Sequence, residues 1–160
     1  MLRVAVPGKP DLQLRYLLLD LNGTIAVDGM VLRGVQERLQ QLSGALEIFI
    51  VTCDTHGNGA RIARELNVGL KRTSRPGPGE SAEKAGVVHS LGPECVVAIG
   101  NGDSDELMLK QSALGIAVLG EEGLSARALV NADIVVRDIR DALDLLLHEK
   151  RLIAILRGAP

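Results

Sequence analysis

Four short segments of this chain carry the carboxylates, hydroxyl and ammonium that chemistry at a phosphorus centre requires. In Leu17-Leu18-Leu19-Asp20-Leu21-Asn22-Gly23-Thr24 an apolar run ends in a carboxylate, followed by a turn with Gly23 and the hydroxyl of Thr24. A carboxylate so placed can hold Mg²⁺ with one oxygen and attack phosphorus with the other. An anionic nucleophile is repelled by an anionic phosphate, so a metal and nearby donors are needed. Ile48 to Val51 ends at Thr52, whose hydroxyl suits a phosphoryl oxygen, with Cys53, Asp54, Thr55 and His56 close behind. Lys84 follows the Pro76-Gly77-Pro78-Gly79 loop, and its ammonium offsets the charge of both Asp20 and phosphate. Val96 to Ile99 then runs into Gly100-Asn101-Gly102-Asp103-Ser104-Asp105, two carboxylates and an amide that make an oxygen-rich Mg²⁺ site.

Each feature has a plainer explanation. Asp20 caps a turn, Thr52 caps a helix, Lys84 is a solvated surface group, and Asp103 and Asp105 start a helix. For Asp20 alone the plain explanation wins. Four strand-end features in this order outweigh it. His56 is a candidate phosphate contact, but an ordinary polar loop residue accounts for it better, and His89 and His148, both expected in helices, carry no motif. Cys53 and Cys95 flank apolar runs without a third or fourth ligand at metal-site spacing, which reads as two buried thiols in a reducing, cytoplasmic setting.

The elements that must position these residues are legible as an alternation. Short apolar runs at Tyr16 to Leu19, Glu47 to Val51, Cys95 to Ile99, Gly115 to Val118 and Asp133 to Val136 read as parallel strands covered on both faces. Between them, helical periodicity predicts helices over Val35 to Leu42, Gly59 to Leu66, Ser81 to Leu91 and Ser104 to Ala113. A shorter helix over Ser125 to Val130 and a longer one over about Ala142 to Leu156 complete the pattern. The expected fold class is α/β, a three-layer Rossmann-like parallel sheet in one domain. Leu2 to Val6 and Leu12 to Arg15 flank Pro7-Gly8-Lys9-Pro10 and form either a hairpin or added edge strands.

Bulk properties bound the partners. The chain has 160 residues, 46% hydrophobic and 24% charged, enough for a core without disulfides or structural metal. Its formal net charge of -2 offers no general attraction to nucleic acid or to an anionic membrane. One Tyr, one Phe and no Trp leave no base-stacking platform and a core of Leu, Val, Ile and Ala. No stretch approaches the roughly 20 apolar residues that span a bilayer, and the start lacks the pattern of a signal peptide.

The ordered set resembles the haloacid dehalogenase-like (HAD) superfamily. Asp20-Leu21-Asn22-Gly23-Thr24 is similar to its first motif, Thr52 to its second, Lys84 to its third, and Gly100 to Asp105 to its fourth. The likeness runs from about Tyr16 to Asp141 and is nearest to P-type ATPase phosphorylation domains and small soluble proteins similar to them. Gly100 to Leu109 and Leu114 to Val118 carry that finer likeness. The resemblance implies an aspartyl phosphate at Asp20, with Asn22 (through its backbone carbonyl), Asn101 and Asp105 joining Asp20 around Mg²⁺. It also implies a phosphoryl group held by Thr52, Cys53 and Lys84, with Asp20, Asn22, Thr52 and Lys84 as the catalytic set.

Two departures shape the expected function. Family phosphatases usually carry a second acid two residues after the nucleophile; Asn22 stands there, and an amide cannot exchange that proton. Asn101 replaces the leading Asp of the fourth motif and removes a negative charge near the metal, while Asp103 occupies a variable position. The expected activity is therefore a slow or specialised Mg²⁺-dependent phosphohydrolase or phosphotransferase. The alternative is a catalytically weak metal-binding or regulatory protein. Asp20 to Thr52 and Thr52 to Lys84 are each about thirty residues, holding a short flap from Ile25 to Val31 but no cap domain. A capless site suits a phosphorylated macromolecule, an easily reached phosphorylated small molecule, or closure by a second copy in a homodimer or homotetramer.

Overall fold

The computed structural model describes residues 1–54, 57–74 and 76–158. The chain opens with β1 (Leu2–Val4) and β2 (Leu12–Leu14), an antiparallel hairpin forming its own two-stranded sheet, which resolves the sequence alternatives in favour of the hairpin. Then come β3 (Tyr16–Leu19), the flap strands β4 (Ala26–Val27) and β5 (Met30–Val31), α1 (Val35–Leu42), β6 (Glu47–Thr52), α2 (Gly59–Leu66), β7 (Gly69–Arg72) and α3 (Glu80–Leu91). The second half holds β8 (Val96–Gly100), α4 (Glu106–Gln111), β9 (Leu114–Val118), α5 (Ala126–Asn131), β10 (Ile134–Val136), α6 (Ile139–Leu147) and α7 (Glu149–Leu156). Single 3₁₀ turns at Pro93–Cys95 and Asp103–Asp105 lead into β8 and α4.

The main sheet has strand order β10-β9-β8-β3-β6-β7, every pair parallel. Its two faces explain the continuous apolar runs. Leu17 and Leu19 of β3, with Val97 and Ile99 of β8, pack with Val35 and Leu39 of α1, Ile62 of α2 and Leu143 of α6. Leu18 and Ala98 face the other way, against Val88 of α3, Met108 and Leu109 of α4, and Ala128 of α5. Alternate residues of one strand thus enter opposite cores, so neither face tolerates a polar residue. This is a three-layer Rossmann-like α/β sandwich.

Among the described residues, the chain between β3 and α1 holds only the flap, and that between β7 and α3 holds no helix or strand. The flap turn at Asp28 and Gly29, both at positive φ, leans on α2: Asn58 Nδ2 donates to the Gly29 carbonyl at 3.3 Å.

The expected single helix over 142–156 is two helices. The chain leaves helical geometry at His148 (φ −121°, ψ 79°), and α6 begins earlier, at Ile139, capped by Asp138, whose side chain accepts from the Arg140 amide. The break lets Leu152 of α7 turn into the core that also holds Val4 and Leu14 of the hairpin, while α6 keeps its own apolar face on the sheet. His148 is therefore at a helix junction, not inside a helix. Cys53 and Cys95 are half-buried, because both lie just outside the strand interiors. Among the described residues, no helix is long and apolar enough to cross a membrane.

Candidate functional site

Strand pairing sets the first distances. Leu19 is in register with Ile50 on one side and Ile99 on the other, and the Asp20 amide extends that ladder by donating to the Ile99 carbonyl at 2.9 Å. The carboxyl ends of β3, β6 and β8 therefore bring Asp20, Thr52 and Asn101 to one edge, where ligands bind in open parallel sheets. α3 then delivers Lys84 from the face it covers.

Lys84 is the centre of the arrangement. Its Nζ donates to Asp20 Oδ1 and to Asp105 Oδ1, each at 2.7 Å, though the partners lie 64 and 21 residues away in sequence. Lys84 is 1% exposed, Asp105 0% and Asp20 7%, so the triad is almost without water. The other oxygen of Asp105 accepts from the backbone amides of Asn101 and Gly102, both at 2.9 Å. Gly100 makes this possible: a Cβ there would lie 2.5 Å from the Asp105 carboxyl carbon. Glu80, one turn before Lys84 on α3, is also buried, with Oε1 3.9 Å from Nζ.

Burial pushes the Asp20 carboxyl up to about 6, and the negative charge of Asp105 adds to it; Lys84 and the Thr24 hydroxyl offset part of the rise. Burial works against the Lys84 charge, but Asp20 and Asp105 outweigh it and hold its ammonium above the usual lysine range.

The residues fit a hard divalent cation. Three buried carboxylates face one ammonium, an excess of negative charge that a cation balances. The Thr24 hydroxyl lies 3.1 Å from both Asp20 Oδ2 and Asn101 Oδ1 and has one hydrogen to share between them. One of those oxygens therefore lacks the Thr24 hydrogen at any moment and has a lone pair to offer a cation. No three His, Cys, Asp or Glu side chains among the described residues are grouped to hold a metal by themselves. For Mg²⁺ the two observations agree, since it is commonly held by one or two carboxylates, neutral oxygens and retained water.

Thr52 ends β6 on the same edge, 2% exposed, with its hydroxyl accepting from the Asp54 amide at 3.0 Å. Asp54 accepts in turn from the Gly59 amide at 2.6 Å and pairs with Arg72, so it ties the loop after β6 to the start of α2. Asn22 is half-buried, bridges to Ala26 at the flap base, and has no side-chain hydrogen bond among the described residues. Cys53 adjoins Thr52 and is half-buried. Asp103 is exposed and lines a separate cavity of about 370 Å³ with Glu80, Glu106 and Arg127, outside the Lys84 triad. Thr55 and His56, named from sequence as neighbours of Thr52, lie outside the described residues.

Two acidic neighbours escaped the sequence reading. Glu80 had a signal, its i,i+4 spacing to Lys84. Glu122 had none: it sits in a Gly-Glu-Glu-Gly turn after β9, yet its carboxylate reaches the Asp20 turn. A cavity of about 450 Å³ between α1 and the starts of β6 and β7, lined by Gln36, Glu47, Phe49 and Asn67, lies at the opposite edge, away from these acids.

Comparison with known proteins adds two kinds of likeness. No protein-family profile matches the chain. The Methanocaldococcus jannaschii uncharacterized protein MJ0073 is 56% identical over 62 residues, 39% of this chain and 67% of that protein. A second protein of that organism, uncharacterized protein MJ0072, is 56% identical over 39 residues, 24% of this chain and 89% of that protein. Among solved structures, the 3-deoxy-D-manno-octulosonate 8-phosphate phosphatase of Moraxella catarrhalis superposes with a TM-score of 0.66 at 17% identity, over 90% of this chain and 94% of that one. A HAD-superfamily subfamily III A hydrolase from Legionella pneumophila superposes equally, TM-score 0.66 at 16% identity, over 91% and 88%. The chain thus belongs to the same family as the two Methanocaldococcus jannaschii proteins and carries the HAD fold.

Proposed function

We propose that this chain is a Mg²⁺-dependent phosphohydrolase or phosphotransferase in which Asp20 takes the phosphoryl group. One observation carries the reading: the buried Lys84 ammonium bridges Asp20 and Asp105 at 2.7 Å each, on the ligand-binding edge of a HAD fold. A structural ion pair has no need of a second buried carboxylate, let alone a third.

In the first step a carboxylate oxygen of Asp20 attacks phosphorus. The new oxygen–phosphorus bond forms as the bond to the substrate oxygen breaks, and the leaving oxygen takes its proton from water because Asn22 has none to give. In the second step water, or an acceptor hydroxyl, attacks phosphorus. The Asp20 bond breaks, the carboxylate is restored, and the attacking oxygen loses its proton to solvent. Lys84 and Thr52 hold the phosphoryl oxygens, and Asp105 keeps Lys84 in place. Bound Mg²⁺ supplies the positive charge that lets an anionic nucleophile approach an anionic phosphate. Asp20, Asn101, Asp105 and the Asn22 carbonyl are the residues that hold it directly or through water.

The substrate is a phosphorylated small molecule or macromolecule, met without a cap domain, and a homodimer or homotetramer is the assembly that covers the open edge. The finer likeness to P-type ATPase phosphorylation domains fits this reading, because a phosphoenzyme that lacks the second acid persists. The test is phosphate release from a panel of phosphate esters with Mg²⁺, together with the intact mass of the protein. Release and a covalent phosphate, both absent in Asp20→Asn, are expected. Neither signal in the wild type moves the assignment to the second reading, a metal-binding or regulatory protein, which the amides at Asn22 and Asn101 favour.

A further inference from the structure

The loop between β9 and α5 is tied to Asn101 at the end of β8 and lies against the Asp20 turn at Gly23. Asn101 Nδ2 donates to the Gly123 carbonyl at 3.2 Å, and the Ser125 amide donates to the Asn101 carbonyl at 2.9 Å. The loop closes on itself through the Gly123 amide and the Gly120 carbonyl at 3.0 Å. A Cβ on Gly120 would lie 3.2 Å from the Gly23 carbonyl oxygen. The consequence falls on Glu122. A Cβ on Gly23 (φ +80°) would lie 2.8 Å from Glu122 Oε2 and 2.5 Å from Asn101 Nδ2. The carboxylate and the amide therefore flank one point above the residue that follows Asn22.

This is the neighbourhood in which two acids are replaced by amides. Asn101 Oδ1 is linked through the Thr24 hydroxyl to Asp20 Oδ2, 3.1 Å on each side. Glu122 has no ion pair or hydrogen bond among the described residues, so its charge is uncommitted. Glu121, its neighbour in sequence, lines a cavity with Gly23 and Thr24 that also holds Arg33 and Arg137, so guanidinium groups share its surroundings.

We propose that Glu122 supplies, through water, the negative charge that Asn101 withholds from a divalent cation beside Asp20. Mg²⁺ dehydrates reluctantly and keeps water ligands, so a carboxylate one water away attracts it without joining its inner shell. Outer-sphere groups at metal sites are commonly worth about 10–100-fold in affinity. An exposed carboxylate belongs at the lower end, and about tenfold is expected. The inference rests on the metal assignment made under the proposed function.

The test is affinity, independent of turnover: Mg²⁺ by calorimetry and Mn²⁺ by electron paramagnetic resonance, on the full chain. Glu122→Gln is expected to weaken both metals about tenfold, while Glu121→Gln, which removes the same formal charge one residue away, changes them less than about twofold. Adding Asn101→Asp to Glu122→Gln is expected to restore the affinity. Unchanged thermal unfolding of the metal-free variants confirms that the loop still folds. If wild type binds metal, Asp20→Asn loses it, and Glu122→Gln behaves like Glu121→Gln, the role of Glu122 is overturned while the metal assignment stands. If wild type binds neither metal, the assignment fails and takes this inference with it.

Discussion

Two ion pairs in this molecule have the same length and opposite surroundings. Arg38 Nε meets Asp144 Oδ1 at 2.7 Å, joining α1 to α6, with 28% and 27% of their side chains exposed. Lys84 meets Asp20 and Asp105 at the same 2.7 Å, but Lys84 and Asp105 are each 1% exposed by side chain and Asp20 10%. In the first pair water screens the attraction and replaces either partner at little cost. In the second, each ion depends on the others, because desolvation has removed the alternative. The Arg38 pair pulls Asp144 down, whereas Asp20 is pushed up even with Lys84 beside it. A buried triad that leaves one carboxylate poorly stabilised suits the proposed phosphoryl site better than a purely structural role.

The largest expected effect comes from adding an acid beside the triad. Asn22→Asp supplies the missing proton donor and acceptor, and phosphoryl turnover is expected to rise by about 10²–10⁴-fold in burst or steady-state assays. A folded, metal-binding variant with no faster turnover on any substrate of the wild type would remove Asn22 as the limiting residue. Next in size is Lys84→Met, which strands Asp20 and Asp105 without their cation. Urea unfolding at pH 7 is expected to show a loss of about 3–5 kcal/mol, partly recovered by millimolar Mg²⁺. A loss below 1 kcal/mol would make the buried triad no different from the surface pair.

Asp20→Asn tests the sign of the same contrast. The folded protein holds the Asp20 proton to about pH 6, against an ordinary value of 3.8, so it binds more protons than the unfolded chain between those limits. This group's contribution to stability is therefore present below about pH 4 and is lost as pH rises to about 6. Lys84, raised above its usual range, stays charged throughout that window. Metal-free Asp20→Asn is expected to be more stable than wild type by about 3 kcal/mol at pH 7, with the difference vanishing near pH 4. A variant less stable at pH 7 would show that Asp20 contributes to the fold it was thought to strain. The smallest effect belongs to the surface pair. A double-mutant cycle on Arg38→Ala and Asp144→Ala should give a coupling under about 1 kcal/mol, shrinking further in high salt.

Much of the fold was legible because its signals are local. Every main-sheet strand except β7 coincides with an apolar run at nearly its observed position. Parallel strands covered on both faces must be apolar at every residue. The helix over 142–156 was misread for the converse reason: Leu143, Leu146, Leu152 and Leu156 continue a helical pattern across His148, and only packing of α7 beside the β1–β2 hairpin requires the break.

The site divides along the same line. By itself the sequence determined that Asp20, Thr52 and the Asn101–Asp105 turn share one edge, because parallel strands end on the same side of their sheet whatever their separation in sequence. Tertiary structure decided what those residues touch. The rotation of α3 puts Lys84 between two carboxylates and buries Glu80 beside them; the Asp105 carboxylate packs inward against Gly100 and the Asn101 and Gly102 amides, while Asp103 stays outside. The loop after β9 brings Glu122 over Gly23 from about a hundred residues away. Periodicity records which face of an element is buried, but the rotation of a helix and the path of a loop are set by the whole packed chain.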